Sequence, residues 1–147
     1  MISIAIGADE AGDDLKEKLK EYLKGLNLTV ADYGVFEGEP VFYPNIALKV
    51  AQAIRAGKHE RGILICGTGI GMAISANKVS GIRAAVCHDL SSIDWARNHY
   101  QAQIIALGAR ITGEEPAKLL VSAWLRSESK GLTDPESITV SMNEIIE

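Results

Sequence analysis

The sequence predicts an α/β fold: a Rossmann-like three-layer sandwich whose five-stranded parallel, doubly wound sheet is covered by helices, followed by a C-terminal helical arm. Three observations carry this expectation. Short apolar runs alternate with longer stretches of helical spacing along most of the chain. The runs Ile2–Ile6, 62–66 and 104–107 are apolar throughout rather than alternating, as in strands buried on both faces. A glycine-rich turn, Cys66-Gly67-Thr68-Gly69-Ile70-Gly71, follows the third run directly and leads into a helix.

Each element has its own signal. Residues 2–6 form a β-branched run that ends at Gly7. From Asp13 to Leu26 the apolar residues Leu15, Leu19, Tyr22 and Leu23 fall at helical spacing. Asp9 or Asp13 is the expected cap of that helix. Residues 28–33 return to strand character. Pro44 fits the first turn of a helix, and Ala47, Val50, Ala51 and Ile54 then repeat on one face. Residues 62–66 form the third strand, and the helix after the glycines runs to about Lys78. Residues 82–87 read as a strand. Residues 91–99 read as a helix capped near Ser91 or Asp89. Residues 104–107 close the fifth strand, and 114–126 form a helix. Residues 127–135 carry Gly131 and Pro135 and read as a linker to a last helix over 136–145.

Composition narrows the function. The chain has 147 residues, one domain's worth, with 47% hydrophobic and 23% charged residues. Its net charge of −4 argues against nucleic acid or an anionic membrane as partner. Two cysteines, Cys66 and Cys87, do not make a disulfide framework. The N-terminus lacks a basic region followed by a long apolar stretch, and no apolar run approaches a membrane span. The expected location is the cytoplasm, with both thiols reduced.

The residues that can carry chemistry gather at predicted strand ends. In a doubly wound sheet the ligand lies outside the carboxyl ends of the strands. That places residues 8–12, 66–71 and 87–89 together. Glycines let a ligand approach the amides of the 67–71 turn, and a helix N-terminus favours negative charge. Cys66 beside that turn is expected to have a lowered thiol pKa and to serve as a base. The alternative is a tight turn with a buried small hydrophobe. The spacing is neither a dinucleotide fingerprint nor a P-loop, so no nucleotide cofactor is expected. No cluster of His, Cys and carboxylates has metal-ligand spacing, so no metal is expected. Asp9 and Glu10 can accept hydrogen bonds from sugar hydroxyls. His99, at a helix end, can act as an acid at neutral pH. Cys87 reads as structural, and His59 as a solvated surface residue.

The segment 62–89, with its CGTGIG, SANK and GIRA strings, closely resembles the type B ribose-5-phosphate isomerases, which form one sugar-phosphate isomerase family with the galactose-6-phosphate isomerase subunits. The opening strand and loop 4–12, Tyr43-Pro44, and Leu107-Gly108-Ala109-Arg110 extend the resemblance to about residue 125. It implies a cofactor-free and metal-free aldose–ketose isomerase acting on a small-molecule sugar phosphate through a cis-enediolate. By that resemblance Cys66 is the base and Thr68 assists at the substrate oxygens. Gly67, Gly69, Ile70 and Gly71 line the oxyanion cradle. His99 opens the sugar ring, Asp9 meets a hydroxyl, and Arg110 meets the phosphate. Glu10, Tyr43 and Tyr100 join the substrate site. A homodimer or homotetramer is implied, with sites at the subunit interface and the 127–147 arm near it.

The departures from the pentose-phosphate members bear on the substrate. Glu10 replaces a His near the phosphate, Phe42 replaces the Asp of Asp-Tyr-Pro, and Tyr100-Gln101 replaces Asn-Asp. Residues 127–147 contain no Arg or His, and Lys130 is their only cation. An Arg fork on phosphate is not replaced well by a lone Lys. Lys130 is expected to join the anion site nonetheless. These changes resemble a branch of tetrulose-phosphate isomerases. The leading expectation is ribose 5-phosphate to ribulose 5-phosphate, and the alternative is an erythrulose phosphate. A reading of another class is a non-catalytic sugar-phosphate sensor or partner subunit.

Overall fold

The structure is a computed structural model that describes residues 3–34 and 42–126. The sheet contains β1 (Ser3–Ala8), β2 (Thr29–Asp32), β3 (Arg61–Cys66), β4 (Ala84–Val86) and β5 (Ile104–Gly108), all parallel, in the order β2-β1-β3-β5-β4. The helices are α1 (Asp13–Gly25), α2 (Tyr43–Arg55), α3 (Ile70–Ala76), α4 (Leu90–Asp94) and α5 (Glu114–Arg126). A π-helical turn, Trp95–His99, continues α4. The expected linker, the last helix and Lys130 lie outside the described residues.

The period-two alternation of the strands splits the core into two layers. Ile4, Ile6, Ile63, Ile65, Ile105 and Leu107 pack under α1, α4 and α5. Ala5, Leu64, Cys66, Ile104 and Ala106 pack under α2 and α3. The sheet is therefore covered on both faces, as the unbroken apolar runs require.

Several boundaries differ from the sequence expectation, each for a local reason. The first helix is capped by the backbone of Gly12, with no side-chain cap; Asp9 instead accepts the Gly12 amide at 3.1 Å, closing the turn before it. Asp13 lies inside the first turn, where its charge complements the helix dipole. The helix after the glycines starts at Ile70, because Gly69 takes the left-handed conformation (φ 82°) that ends the turn. Asp89, not Ser91, is the cap of α4: its side chain accepts the Ser92 amide at 2.6 Å. His59 is not a solvated surface residue. Its ring nitrogens lie 2.6 Å from the Ser3 hydroxyl and 2.7 Å from the Tyr33 hydroxyl. Burial, and Lys58 after it, hold the His59 pKa below its ordinary value.

Lys16 is fully buried, which a lysine tolerates only when its charge is matched. Its Nζ donates to the Gly34 carbonyl at 2.7 Å and pairs with Asp32 at 3.0 Å and Asp13 at 3.1 Å. Lys20 also reaches Asp32, at 2.8 Å. This knot ties α1 to the exit of β2. Burial works against ionising Asp32, but the hydrogen bonds from Lys20, the Gly34 amide and Lys16 outweigh it and lower the carboxyl's pKa. The folded protein therefore binds fewer protons at Asp32 than the unfolded chain. The resulting stability is present above the unfolded carboxylate pKa of about 4. It is lost as pH falls through the lower folded value. Asp32→Asn is expected to cost about 3 kcal/mol at pH 7 in urea unfolding. It is also expected to flatten the decline of stability below pH about 4.

Candidate functional site

In a sheet of this order the chain reverses direction between β1 and β3, and a crevice opens where their two exit loops part. The exit of β1 carries Asp9, Glu10 and Gly12. The exit of β3 carries Cys66, Gly67, Thr68 and Gly69. The two loops are locked together: the Asp9 amide donates to the Ile65 carbonyl at 3.2 Å, and a Cβ on Gly12 would stand 2.6 Å from that same oxygen.

The β3 exit turn is packed from below by the exit of β5. The Ala109 amide donates to the Cys66 carbonyl at 2.8 Å, and the Arg110 amide to the Gly67 carbonyl at 3.0 Å. A Cβ on Gly108 would lie 2.8 Å from the Thr68 backbone, and one on Gly69 would lie 3.1 Å from the Ala106 carbonyl oxygen. A Cβ on Gly71 would lie 2.9 Å from the Tyr43 ring, so the absent side chain lets that ring cover the start of α3. The Arg110 side chain runs along Gly67, 3.4 Å from where its Cβ would be. Cys66, Thr68, Gly67, Gly69, Ile70, Gly71, Tyr43 and Arg110 are thus brought together as the sequence leads one to expect.

The turn distributes its amides unevenly. Gly69 N–H donates to the Cys66 Sγ at 3.1 Å. Ile70 N–H donates to the Thr68 hydroxyl oxygen at 3.3 Å. Among the described residues, the amides of Gly67 and Thr68 have no acceptor. The expected cradle of residues 67–71 therefore narrows to this pair, with Gly69 turned to the sulfur. Cys66 itself is 7% exposed, at the floor of the turn. The other thiol, Cys87, is fully buried, and burial raises its pKa to about 11. That agrees with a structural role.

Glu10 is exposed, whereas Asp9 is half-buried with one carboxylate oxygen on the Gly12 amide. His99 and Tyr100 are not brought to the turn. The segment α4 plus its π turn leaves the exit edge of β4 and runs back to the edge where strands begin. There Arg83, one residue before β4, donates to the carbonyls of Tyr100 at 3.0 Å and Gln101 at 2.9 Å. Within one chain these two residues lie at the opposite sheet edge from Cys66. Trp95 escaped the sequence reading: it stacks on His99 with centroids 3.7 Å apart and planes 23° apart. Its four-residue separation from His99 was the available signal.

Among the described residues no group of three or more His, Cys, Asp or Glu could hold a metal ion, and no helix is long and apolar enough to cross a membrane.

Comparison with known proteins matches residues 4–139 to the model of a family described as Ribose/Galactose Isomerase. D-erythrulose-4-phosphate isomerase of Pectobacterium atrosepticum is 56% identical over 132 residues, covering 89% of this chain and 87% of that protein. Ribose-5-P isomerase B of Listeria innocua is 49% identical over 130 residues, covering 88% of each. The solved structure of ribose-5-phosphate isomerase B from Clostridium thermocellum superposes with a TM-score of 0.93 at 42% identity, covering 98% of this chain and 97% of that one.

The close approach of Gly108 to Thr68 generates a prediction. Gly108→Ala is expected to lower stability by about 2 kcal/mol in urea unfolding, because the loop has to move to admit the methyl group. It is also expected to shift the amide resonances of Thr68 and Gly69. Loop resonances that stay in place would contradict the packing described.

Proposed function

The chain belongs to the ribose/galactose isomerase family of sugar-phosphate isomerases, and from that premise we propose that Cys66 is the base of its aldose–ketose isomerisation. The observation that carries this is the β3 exit turn. One amide, from Gly69, is aimed at the sulfur at 3.1 Å, and two neighbouring amides, of Gly67 and Thr68, have no acceptor among the described residues. A thiolate at Cys66 removes the proton from the carbon next to the substrate carbonyl. The electron pair left behind moves onto the oxygens as a cis-enediolate. Donors already in place for that charge need no reorganisation as it develops. The same thiol then returns the proton to the adjacent carbon, and the hydroxyl proton crosses between the two oxygens beside the Thr68 hydroxyl. Atoms and charge balance without a cofactor.

Arg110, exposed beside Gly67, is the proposed phosphate contact, and Lys130 is proposed to add to it from the C-terminal arm. Asp9 keeps one carboxylate oxygen for a sugar hydroxyl, with Glu10 and Tyr43 at the rim. His99 and Tyr100 reach such a turn only from a second copy of the chain, because their own lies at the other sheet edge. Phe42, just before α2, and Tyr43, Ile70 and Ile74 on α2 and α3 are exposed, an apolar surface suited to a second copy. The proposed assembly is therefore a homo-oligomer, dimer or tetramer, with His99 facing the substrate oxygens across the interface.

For the substrate, a four-carbon erythrulose phosphate is favoured. Its support is the 56% identity to a D-erythrulose-4-phosphate isomerase, an exposed Glu10 that disfavours a phosphate beside it, and a 127–147 segment poor in cations. Ribose 5-phosphate is the second reading, favoured by His99, whose acid a closed sugar ring requires.

A panel of tetrose, pentose and hexose phosphates tests both readings. One carbon number is expected to turn over well above the others. Cys66→Ala is expected to lose about a thousandfold in kcat while still binding that substrate. The unsubstituted protein is expected to sediment as an oligomer. Binding without turnover across the whole panel would instead mark a sensor or partner subunit.

A further inference from the structure

The π-helical turn ends in a built aromatic pair. The Tyr100 amide donates to the Trp95 carbonyl at 3.2 Å, the five-residue step that defines the turn. Its end is held firmly. Asn98, 6% exposed, donates to the Asp94 carboxylate. Arg83 holds the Tyr100 and Gln101 carbonyls, and Gln101 takes a positive φ of 52°. The Ala102 amide reaches the Ala96 carbonyl at 2.8 Å. A wider turn shortens the axial step per residue, so residues four apart approach closely enough to stack. Such turns concentrate at functional sites.

Within this frame the His99 ring makes no hydrogen bond to a described residue. Its described side-chain contact is the face of Trp95, at 3.7 Å. Trp95 is half exposed, with the Tyr100 ring 6.3 Å away. Both His99 ring nitrogens are without a hydrogen-bond partner among the described residues, while the stack on Trp95 sets the ring plane.

We propose that Trp95 is a positioning residue: its stacked face sets the orientation of the His99 imidazole, so that a ring nitrogen meets the oxygens of a sugar phosphate bound in the partner copy's turn. The role rests on the isomerase reading above. Stacking leaves the imidazole free to rotate its nitrogens towards substrate only within one plane, which is the constraint proton transfer to a defined oxygen needs.

The test compares Trp95→Leu, Trp95→Phe and His99→Asn with the unsubstituted protein. Trp95→Leu is expected to lower kcat by about tenfold while KM moves less than about twofold, since only transition-state geometry is lost. Trp95→Phe, which keeps a flat face, is expected to recover most of that loss. His99→Asn is expected to raise tryptophan fluorescence by removing a stacked quencher, and Trp95→Leu is expected to have no further effect on kcat in the His99→Asn background. Sedimentation of each variant separates positioning from assembly. A fall in activity that tracks dissociation of the oligomer would overturn the proposal, as would a rise in KM at constant kcat or failure of the Phe variant to recover. If the unsubstituted protein turns over no sugar phosphate, the isomerase reading fails and this role with it. The fluorescence pair tells that outcome apart from an absent stack.

Discussion

Two hydrogen bonds between strand exits, Ala109 N–H to the Cys66 carbonyl and Arg110 N–H to the Gly67 carbonyl, set the conditions for everything at the carboxyl edge of this sheet. They extend the β3–β5 ladder past its last paired residues, so the turn after β3 is held as firmly as a strand. The packing leaves no room for side chains at three points. Gly12 lies on the Ile65 carbonyl, Gly108 on the Thr68 backbone, and Gly69 on the Ala106 carbonyl. A loop held this way has little freedom to reorganise. That is the property a cradle for developing negative charge requires, because donors that must first be turned into place return less of their interaction energy.

The same ladder explains the division of labour among the amides. Gly69 must be left-handed to start α3, and that conformation swings its N–H back onto the Cys66 sulfur. The amides of Gly67 and Thr68 are left without an acceptor among the described residues. Arg110 follows two residues after the last residue of β5, so its guanidinium arrives beside Gly67 through the register of the sheet rather than through a long flexible reach. Cation, amides and thiol are consequences of one backbone arrangement. At the other edge Arg83 and Asn98 stiffen the turn that carries Trp95 and His99. If Cys66 and His99 are base and acid as proposed, they lie at opposite edges of one chain, and only a second copy brings them to one substrate.

Much of this was legible in the sequence, for identifiable reasons. Ile63, Leu64 and Ile65 followed by alternating glycines can hardly be anything but a buried strand entering a tight turn. The amphipathic spacing of Leu15, Leu19 and Leu23 fixes α1. Both layers of the sandwich follow from such patterns. What escaped were features set by contacts between distant segments. The exchange of β4 and β5 in the sheet order leaves no local trace. Gly12 rather than Asp9 or Asp13 caps α1, because Asp9 is drawn to close the preceding turn. His59 looks like part of a charged surface run, but Ser3 from β1 and Tyr33 just past β2 come to its two ring nitrogens. The burial of Lys16 is likewise invisible, since Asp32 and Gly34 come to it from another strand. The π turn at Trp95–His99 reads as ordinary helix, because its sequence keeps helical spacing up to the residue where the wider turn begins.

The central claim is that the sulfur of Cys66 carries the proton between two adjacent carbons. Isomerisation in heavy water, followed by NMR of the recovered sugar phosphate, tests it most directly. The account predicts deuterium at the carbon that receives the proton, and no exchange above background with Cys66→Ala. Conversion and exchange by the Cys66→Ala protein as fast as by the unsubstituted protein would contradict it and show that another group is the base.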